Sequence, residues 1–306
     1  MMNATTHLHE LPLPGLREDN PRDFLAALGL IRLIDLMWPS HHARLSWLGK
    51  GNLPILHVKA PLPERWHDEL IEVLKDFNQA PMNPLVYGEI IKAEYEVFRD
   101  AVKRAVVFST FGHRLAKLPQ IMYSCYSSQI KADDGMIEPS GFSFGNGQSG
   151  KKLLLDVGQL IDGLAPGKLE ETLLGKASPV AAKSLRWNPV EFRPAAYRNH
   201  DPGSKQKGDE SKDYPALNVL AFFGLSFYPV VTTVSGSKTS GIHRLVREDY
   251  FMWPIWNTAL SVEEIASVVC ANHSQWFQSN GIATVWRSKR FSSDKSLYFA
   301  PAEIFR

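Results

Sequence analysis

The chain has 306 residues, of which 44% are hydrophobic and 22% are charged, so it carries enough apolar side chains for a packed core and is not globally disordered. Its formal net charge of +2 is too small to indicate nucleic-acid binding by itself, since binding depends on where basic residues cluster. The chain has two cysteines, Cys125 and Cys270, which excludes a disulfide-stapled secreted scaffold and a cysteine-rich zinc site.

Neither a signal peptide nor a membrane span is expected. The first residues of the chain lack a basic segment followed by an apolar one. The longest apolar stretch, residues 24–38, is interrupted by Arg32 and Asp35 and is shorter than the roughly 20 residues that cross a bilayer. We therefore expect a cytoplasmic protein with no membrane partner.

The first predicted element is a buried helix that begins at Asn20 and Pro21. Asn is a favoured N-cap and Pro a favoured first helical residue, and the apolar residues that follow cover nearly the whole helical circumference. Gly29 lies in the middle of this helix and suits the close approach of another element, because it has no Cβ.

Three further elements follow in the N-terminal half. Residues 43–48 and 53–59 alternate apolar and polar side chains across a Gly-rich turn, which predicts a β-hairpin. Residues 64–77 place their apolar side chains on one helical face, and residues 90–107 do the same while their other face is basic. Both segments therefore predict amphipathic helices.

Between residues 124 and 150 the composition shifts to Ser, Gly and Asn, which is typical of a connection between two halves. We expect an α+β protein with mostly antiparallel strands, built as one large domain or as two lobes. In the two-lobe form, residues 1–140 contain the buried helix and the hairpin, and residues 141–306 contain a Gly-rich loop and the basic segments.

The C-terminal half predicts a helix over residues 153–164 and a polar surface loop over residues 201–215. A second helix is expected over residues 261–278, because Ser261 with Glu264 three residues later is typical of a capping box. Further apolar or strand-like segments lie at residues 216–228, 230–234, 243–247 and 284–291.

The sharpest local motif is the Gly-rich loop at residues 145–152. It fits the G-x-x-x-x-G-K pattern of a phosphate-binding loop but has Lys152 where such a loop needs Ser or Thr for magnesium. One interpretation is a nucleotide-dependent or nuclease accessory enzyme. The others are an ordinary turn, or a loop whose Lys151 and Lys152 contact a nucleic-acid phosphate. On balance we predict no bound cofactor.

Catalytic and metal-binding patterns are weak elsewhere. The 10 histidines form no H-E-x-x-H pattern, and the two cysteines form no C-x-x-C motif. The paired acids at residues 133–134, 209–210 and 263–264 lie in polar or helix-start surroundings that explain them without hydrolysis. We therefore predict no enzyme active site and no metal site.

Basic residues interleaved with aromatic residues are the stronger signal, at residues 183–207 and again at residues 286–291. Arg and Lys neutralise phosphates, and aromatic faces stack on unpaired bases. The alternative for either cluster is an aromatic core with a solvated basic surface. The predicted nucleic-acid contacts are Lys151, Lys152, Arg186, Arg193, Arg198, Arg287, Lys289 and Arg290.

Four segments carry a resemblance to known proteins. They are LPLPGLREDNPRDFLAALGLIRLIDL (residues 11–36), SLRWNPVEFRPAAYRNHDP (residues 184–202), ALNVLAFFGLSFYPV (residues 216–230) and FMWPIWNTALSVEEIASVV (residues 251–269). Together, and in this order, they resemble a CRISPR-associated family of type I-G systems, formerly called I-U. That family is related to the large-subunit and helicase-extension proteins of those loci.

The resemblance implies a non-catalytic subunit of a type I CRISPR interference complex, a Cascade-like assembly with crRNA-containing sibling subunits and a helicase-nuclease partner. It implies a compact form of the large subunit, placed where target DNA enters, with recognition of a protospacer-adjacent motif as a further expected role. Guide RNA would supply the remaining sequence specificity. The resemblance carries over no catalytic residues, and a protein-only adaptor that recruits the helicase-nuclease remains an alternative.

Overall fold

The computed structural model describes residues 8–48, 51–80, 94–131, 135–142, 150–189, 212–234, 236–271, 281–293 and 296–305. In these ranges the chain forms helices and antiparallel sheets, which confirms the predicted α+β class. The helices are α1 Pro21–Met37, α2 Trp66–Gln79, α3 Tyr95–Phe108, α4 Leu118–Tyr126, α5 Gly150–Asp162, α6 Lys168–Leu173, α7 Pro215–Gly224 and α8 Val262–Cys270.

The strands of the described ranges form two larger antiparallel sheets and three two-stranded ladders. The strands are β1 His9–Pro12, β2 Arg44–Leu48, β3 Leu53–Val58, β4 Ser127–Lys131, β5 Ile137–Pro139, β6 Val180–Ala181, β7 Lys212–Asp213, β8 Val230–Thr233, β9 Gly236–Thr239, β10 Ile242–Leu245, β11 Glu248–Trp256, β12 Leu260–Ser261, β13 Ile282–Ser293, β14 Ser296–Phe299 and β15 Glu303–Ile304. The 4-stranded sheet has the order β1-β3-β2-β12, and the 5-stranded sheet has the order β10-β11-β13-β14, with β15 also paired to β13. The ladders are β4-β5, β6-β7 and β8-β9.

The buried helix α1 forms where the sequence predicts it. The side chain of Asn20 accepts a hydrogen bond from the backbone N–H of Arg22 at 3.0 Å, and Pro21 occupies the first turn. Nearly every residue of the helix is buried, so α1 lies at the centre of the molecule rather than on its surface. A helix that is apolar on all sides needs such surroundings.

Helices α1 and α7 lie side by side and run in the same direction. Arg22, in the first turn of α1, bonds to Asp213 just before α7, and Arg32 donates to the hydroxyl of Ser226 just beyond its end. The guanidinium of Arg32 also lies 4.3 Å from the centre of the Phe227 ring. Polar contacts therefore fix both ends of the helix pair.

The two helices touch through glycine. A Cβ at Gly29 would lie 1.8 Å from the carbonyl oxygen of Leu220, and a Cβ at Gly224 would lie 2.0 Å from that of Leu25. Any side chain at either position would collide with the backbone of the other helix. The expected close approach at Gly29 is confirmed, and Gly224 is its counterpart.

A buried ion cluster joins the starts of α1 and α7. The guanidinium of Arg22 contacts the carboxylate of Asp213 at 2.5 Å and that of Asp23 at 2.7 Å, and all three side chains are excluded from solvent. Burial raises the pKa of Asp23, and the charge of Arg22 opposes that shift. Beside this cluster, Asn20 donates to the side chain of Asn188 at 3.0 Å.

Aromatic packing joins α1 to both larger sheets. The Phe24 ring stacks on Trp47 of β2 at 5.6 Å and contacts Trp253 and Trp256 of β11 at 5.9 Å and 6.2 Å. In addition, β12 pairs with β2, so the 4-stranded sheet combines strands from both halves of the sequence. The lobe boundary at residue 140 stays a prediction, and the two halves share one core.

The other predicted elements agree with the structure in most places. The hairpin is present as β2 and β3, and α2 and α5 lie within two or three residues of their predicted bounds. The helix predicted over residues 90–107 is present as α3, and residues 81–93 lie outside the described ranges. Most of the predicted loop at residues 201–215 also lies outside them.

One helix end was predicted wrongly. The expected capping box is present, with Ser261 and Glu264 bonded to each other's backbone N–H groups, but α8 ends at Cys270 and not at residue 278. Ala271 already has extended backbone angles, φ −68° and ψ 128°. None of the helices in the described ranges is both long and apolar enough to cross a membrane.

Candidate nucleic-acid interface

The basic segment near the C-terminus lies on β13, in the middle of the 5-stranded sheet. In antiparallel sheets, directly opposed residues share a face. His243 of β10, Tyr250 of β11 and Lys289 of β13 oppose one another and form one row across three strands. The next row of the same face contains Met252, Arg287 and Glu303, so these rows define a single surface.

This surface is the outer face of the sheet. The opposite face carries Phe251, Trp253, Ile255 and Phe299, which are fully buried in the core. Tyr250, by contrast, is only partly buried. The alternation of side chains along a strand therefore directs one set inward and the basic and aromatic set outward.

Each predicted cation of the outer face has a carboxylate partner. The ammonium of Lys289 lies 2.5 Å from Glu248, and Nε of Arg287 lies 2.8 Å from Glu303. Hydrogen bonding to Glu248 raises the pKa of Lys289. Burial lowers the pKa of His243 below its ordinary value of 6.5, so this ring is neutral at neutral pH. Within these rows, Arg287 and Lys289 are thus each paired with a carboxylate.

Arg287 lies between two aromatic rings. Its guanidinium is 5.2 Å from the ring centre of Tyr250 and 5.4 Å from that of Phe305. Such cation–π contacts position a guanidinium over an aromatic face. The arrangement places a planar cation beside a partly exposed aromatic ring on the outer face, and such groups are ones on which bases stack.

Arg290 is separated from the other two cations of its segment. It lies opposite Asp249 and Phe299, on the inward face of β13, and its guanidinium is 3.8 Å from the Asp249 carboxylate. Burial lowers the pKa of Arg290, and Asp249 opposes that shift. The structure therefore groups Arg287 with Lys289 and places Arg290 on the other side of the sheet.

The remaining predicted contacts lie elsewhere in the chain. Arg186 has its guanidinium 5.6 Å from the ring of Tyr298 on β14, next to the sheet. Lys151 and Lys152 belong to the first turn of α5, and their side chains lie outside the described part of the structure. Residues 190–211, which include Arg193 and Arg198, lie outside the described ranges altogether.

Sequence reasoning missed two exposed arginines on the β10–β11 hairpin. Arg244 and Arg247 are both exposed, and neither forms an ion pair with a described residue. Arg247 and the 95% exposed Val246 form the hairpin turn with φ values of 71° and 47°. This left-handed backbone suits the tight turns of two-residue hairpins but is strained for a β-branched residue. The signal in the sequence was the spacing of arginines in the strand-like segment 243–247.

One arrangement elsewhere has the order of a hydrolase triad. On the 4-stranded sheet the Ser46 hydroxyl lies 2.8 Å from Nε2 of His57, and Nδ1 of His57 lies 3.6 Å from Glu10. Ser46, however, is completely buried beneath its neighbours, so its hydroxyl is not presented to a substrate. A nucleophile needs access as well as a base, and these contacts are explained by hydrogen bonding of a buried histidine.

Among the described residues, no group of three or more His, Cys, Asp and Glu side chains is placed to hold a metal ion. Comparisons with protein-family models, with curated proteins and with solved structures find nothing that matches this chain.

Proposed function

We propose that this chain is a non-catalytic subunit of a cytoplasmic type I CRISPR interference complex and that it contacts target DNA. Its partners are crRNA-containing sibling subunits and a helicase-nuclease. The observation that carries the nucleic-acid contact is the outer face of the 5-stranded sheet, where Tyr250 is flanked by Arg287 and Lys289. Ion pairs at exposed positions contribute little to stability, so phosphates or base edges replace the carboxylates as partners at small cost.

The placement of the resembling segments supports assignment to the complex. Residues 11–36 contain all but the last residue of α1, and residues 216–230 contain all but the first residue of α7. Residues 251–269 contain most of β11 and all but the last residue of α8. These elements meet in the common core through the α1–α7 contact and the aromatic cluster around Phe24. Three of the four resembling segments thus lie in elements of the core, residues 190–202 of the fourth lie outside the described ranges, and Arg287 and Lys289 lie outside all four.

Co-purification tests this proposal most directly. The tagged chain is expressed together with the neighbouring genes and a CRISPR array, and its bound proteins and RNA are identified by mass spectrometry and sequencing. We expect sibling subunits and crRNA in stoichiometric amounts, and loss of the RNA when the array is deleted. Recovery of the chain without crRNA or siblings contradicts the proposal.

A measurement of ATP hydrolysis distinguishes the proposed non-catalytic subunit from the enzymatic alternative. ATP hydrolysis by the purified chain that disappears in a Lys151→Ala variant would favour the nucleotide-dependent interpretation of the Gly-rich loop. Absence of turnover in both proteins is the expected result for a subunit that only binds.

A further inference from the structure

We infer that the outer face of the 5-stranded sheet binds unpaired nucleotides of a single strand, in preference to the backbone of a duplex. This inference rests on the proposed nucleic-acid contact and names its ligand class. Charge is the first reason. Arg287 and Lys289 are both paired with carboxylates and His243 is neutral, so the rows around Tyr250 offer little net positive charge to duplex phosphates. Duplex binding without sequence preference depends on such charge.

Stacking surfaces are the second reason. Tyr250 lies at the centre of the row, between His243 and Lys289, and the guanidinium of Arg287 lies 5.2 Å from its ring centre. Aromatic rings and guanidinium planes stack on bases that are splayed out of a helix. In a duplex the base faces are already stacked on each other, so a duplex offers no free base face to Tyr250 and Arg287.

The mixture of donors and acceptors is the third reason. The side chains of Glu248 and Glu303 are 44% and 60% exposed and accept hydrogen bonds, whereas Arg287 and Lys289 donate them. Carboxylates accept from the exocyclic amines of bases, and cations donate to base carbonyls and ring nitrogens. The Watson–Crick edges that carry many of these groups are engaged in a duplex and free in a single strand. Carboxylates at a phosphate-binding surface, by contrast, repel the ligand.

The hairpin turn supplies the backbone contact. Arg247 is exposed, has no ion pair with a described residue, and precedes Tyr250 by three positions on the same hairpin. It is therefore available for a phosphate next to a base that stacks on Tyr250. Because the cations in the rows around Tyr250 are already paired with described carboxylates, we expect few phosphates to be neutralised and hence a shallow salt dependence.

Fluorescence anisotropy with the purified chain, alone and in the assembled complex, tests this inference. The probes are a labelled single-stranded DNA of mixed sequence, the RNA of the same sequence and the corresponding blunt DNA duplex. We expect single strands to bind more tightly than the duplex, and Tyr250→Ala to weaken single-strand binding about tenfold, as the loss of one stacked base does. Tyr250→Phe keeps the ring and is expected to bind like the wild type. Phe111→Ala, which removes an exposed aromatic ring outside the sheet, is the matched control.

Thermal melting first establishes that the variants fold. Photo-crosslinking of a single strand that contains 5-iodouracil, mapped by mass spectrometry, gives a readout that needs no variant, and the crosslink is expected on β11 or β13. The inference is overturned if folded Tyr250→Ala binds single strands as tightly as the wild type, if the crosslink lies elsewhere, or if the duplex binds better than both single strands. In any of these cases crRNA-dependent co-purification still decides the proposed function separately, and the DNA and RNA probes show which strand the site accepts.

Discussion

The polar side chains considered for function in this protein differ most in their solvent exposure. Ser46 and His57 are buried and use their polar atoms on each other, so their role is to satisfy hydrogen bonds inside a sheet. Tyr250 and Arg287 are also polar or aromatic residues, but they lie on a partly exposed face of a sheet. Exposure at a sheet surface, and not residue type, makes the second pair available to a ligand.

His57 makes the free energy of unfolding depend on pH. Burial lowers its pKa, with Glu10 opposing, so the unfolded chain takes up a proton before the folded chain does. This contribution to stability is present above the unfolded pKa and is lost as the pH falls through the lower folded pKa. We expect the free energy of unfolding, measured in urea, to decrease as the pH falls below about 6.5.

A His57→Gln variant isolates this effect. Glutamine keeps a hydrogen-bonding partner for Ser46 but does not titrate, so the decrease at acidic pH is expected to become shallower. The slope is not expected to vanish, because burial also lowers the pKa of His67 and His243. Equal pH slopes for the variant and the wild type would show that His57 does not contribute in this way.

Because α1 and α7 are in close contact, we predict that one methyl group added at Gly29 strongly lowers the free energy of unfolding. Gly29→Ala improves intrinsic helix propensity by about 1 kcal/mol, but its Cβ would collide with the backbone of Leu220. We expect a net loss of about 3 kcal/mol in the free energy of unfolding, since overpacking against backbone cannot relax by side-chain rotation. Gly112→Ala is the control, because a Cβ there meets nothing within 4 Å. Equal stability of the two variants would contradict the close contact.

At the scale of elements, α1 packs closely on α7 and contacts both larger sheets through Phe24. The glycine contact fixes how closely the helices approach, and the Arg22 cluster fixes their alignment, since it joins their starts. A buried charge without its partner is costly, so this cluster favours the arrangement of the two helices in which Arg22 meets both carboxylates. The position of β11, which packs on Phe24 of α1, depends on that arrangement.

Removing Asp213 tests the role of this cluster. Asp213→Ala leaves the buried guanidinium of Arg22 with Asp23 alone, and we expect a loss of about 3 kcal/mol in the free energy of unfolding. Lys168→Gln breaks the exposed pair with Glu171 and serves as the control, with a nearly unchanged free energy of unfolding. If both variants unfold at the same urea concentration as the wild type, the cluster does not stabilise the helix pair.

Local sequence signals predicted α1, α2, α3, α5 and the start of α8, because caps and apolar periodicity act over a few residues, but they did not predict α4, α6 and α7. Asn20 with Pro21, and Ser261 with Glu264, mark the starts of α1 and α8 in both sequence and structure. Strand β11 was not predicted, because its continuous aromatic run is buried in a way that period-2 alternation does not reveal.

The candidate site was predictable only in part. Arg287 and Lys289 are two residues apart on a strand and share a face, and the same alternation already separates Arg290 from them. That signal was available in the sequence once residues 284–291 were assigned to a strand. The carboxylates of Glu248 and Glu303 come from other strands, so the balance of charge on the outer face depends on the tertiary pairing of strands, which sequence spacing does not give.

At the scale of the whole molecule, the core and the candidate interface lie on opposite faces of one sheet. Helices α1 and α7 and the inward face of β11 contribute to the core, and the outer face of the 5-stranded sheet presents Tyr250, Arg287 and Lys289. In the proposed function, this outer face is the surface that contacts nucleic acid. Because it lies opposite the core, the outer face can be altered without disturbing the core.

The most direct measurement is the affinity of the assembled complex for target DNA when cations of the outer face are removed. The variant is Arg287→Ala with Lys289→Ala, and its matched control is Arg99→Ala with Lys103→Ala, two exposed cations of α3 that are likewise paired with carboxylates. We expect the first variant to bind target DNA about tenfold more weakly and the second to bind like the wild type. Equal affinities for both variants and the wild type would contradict nucleic-acid contact through the outer face of this sheet.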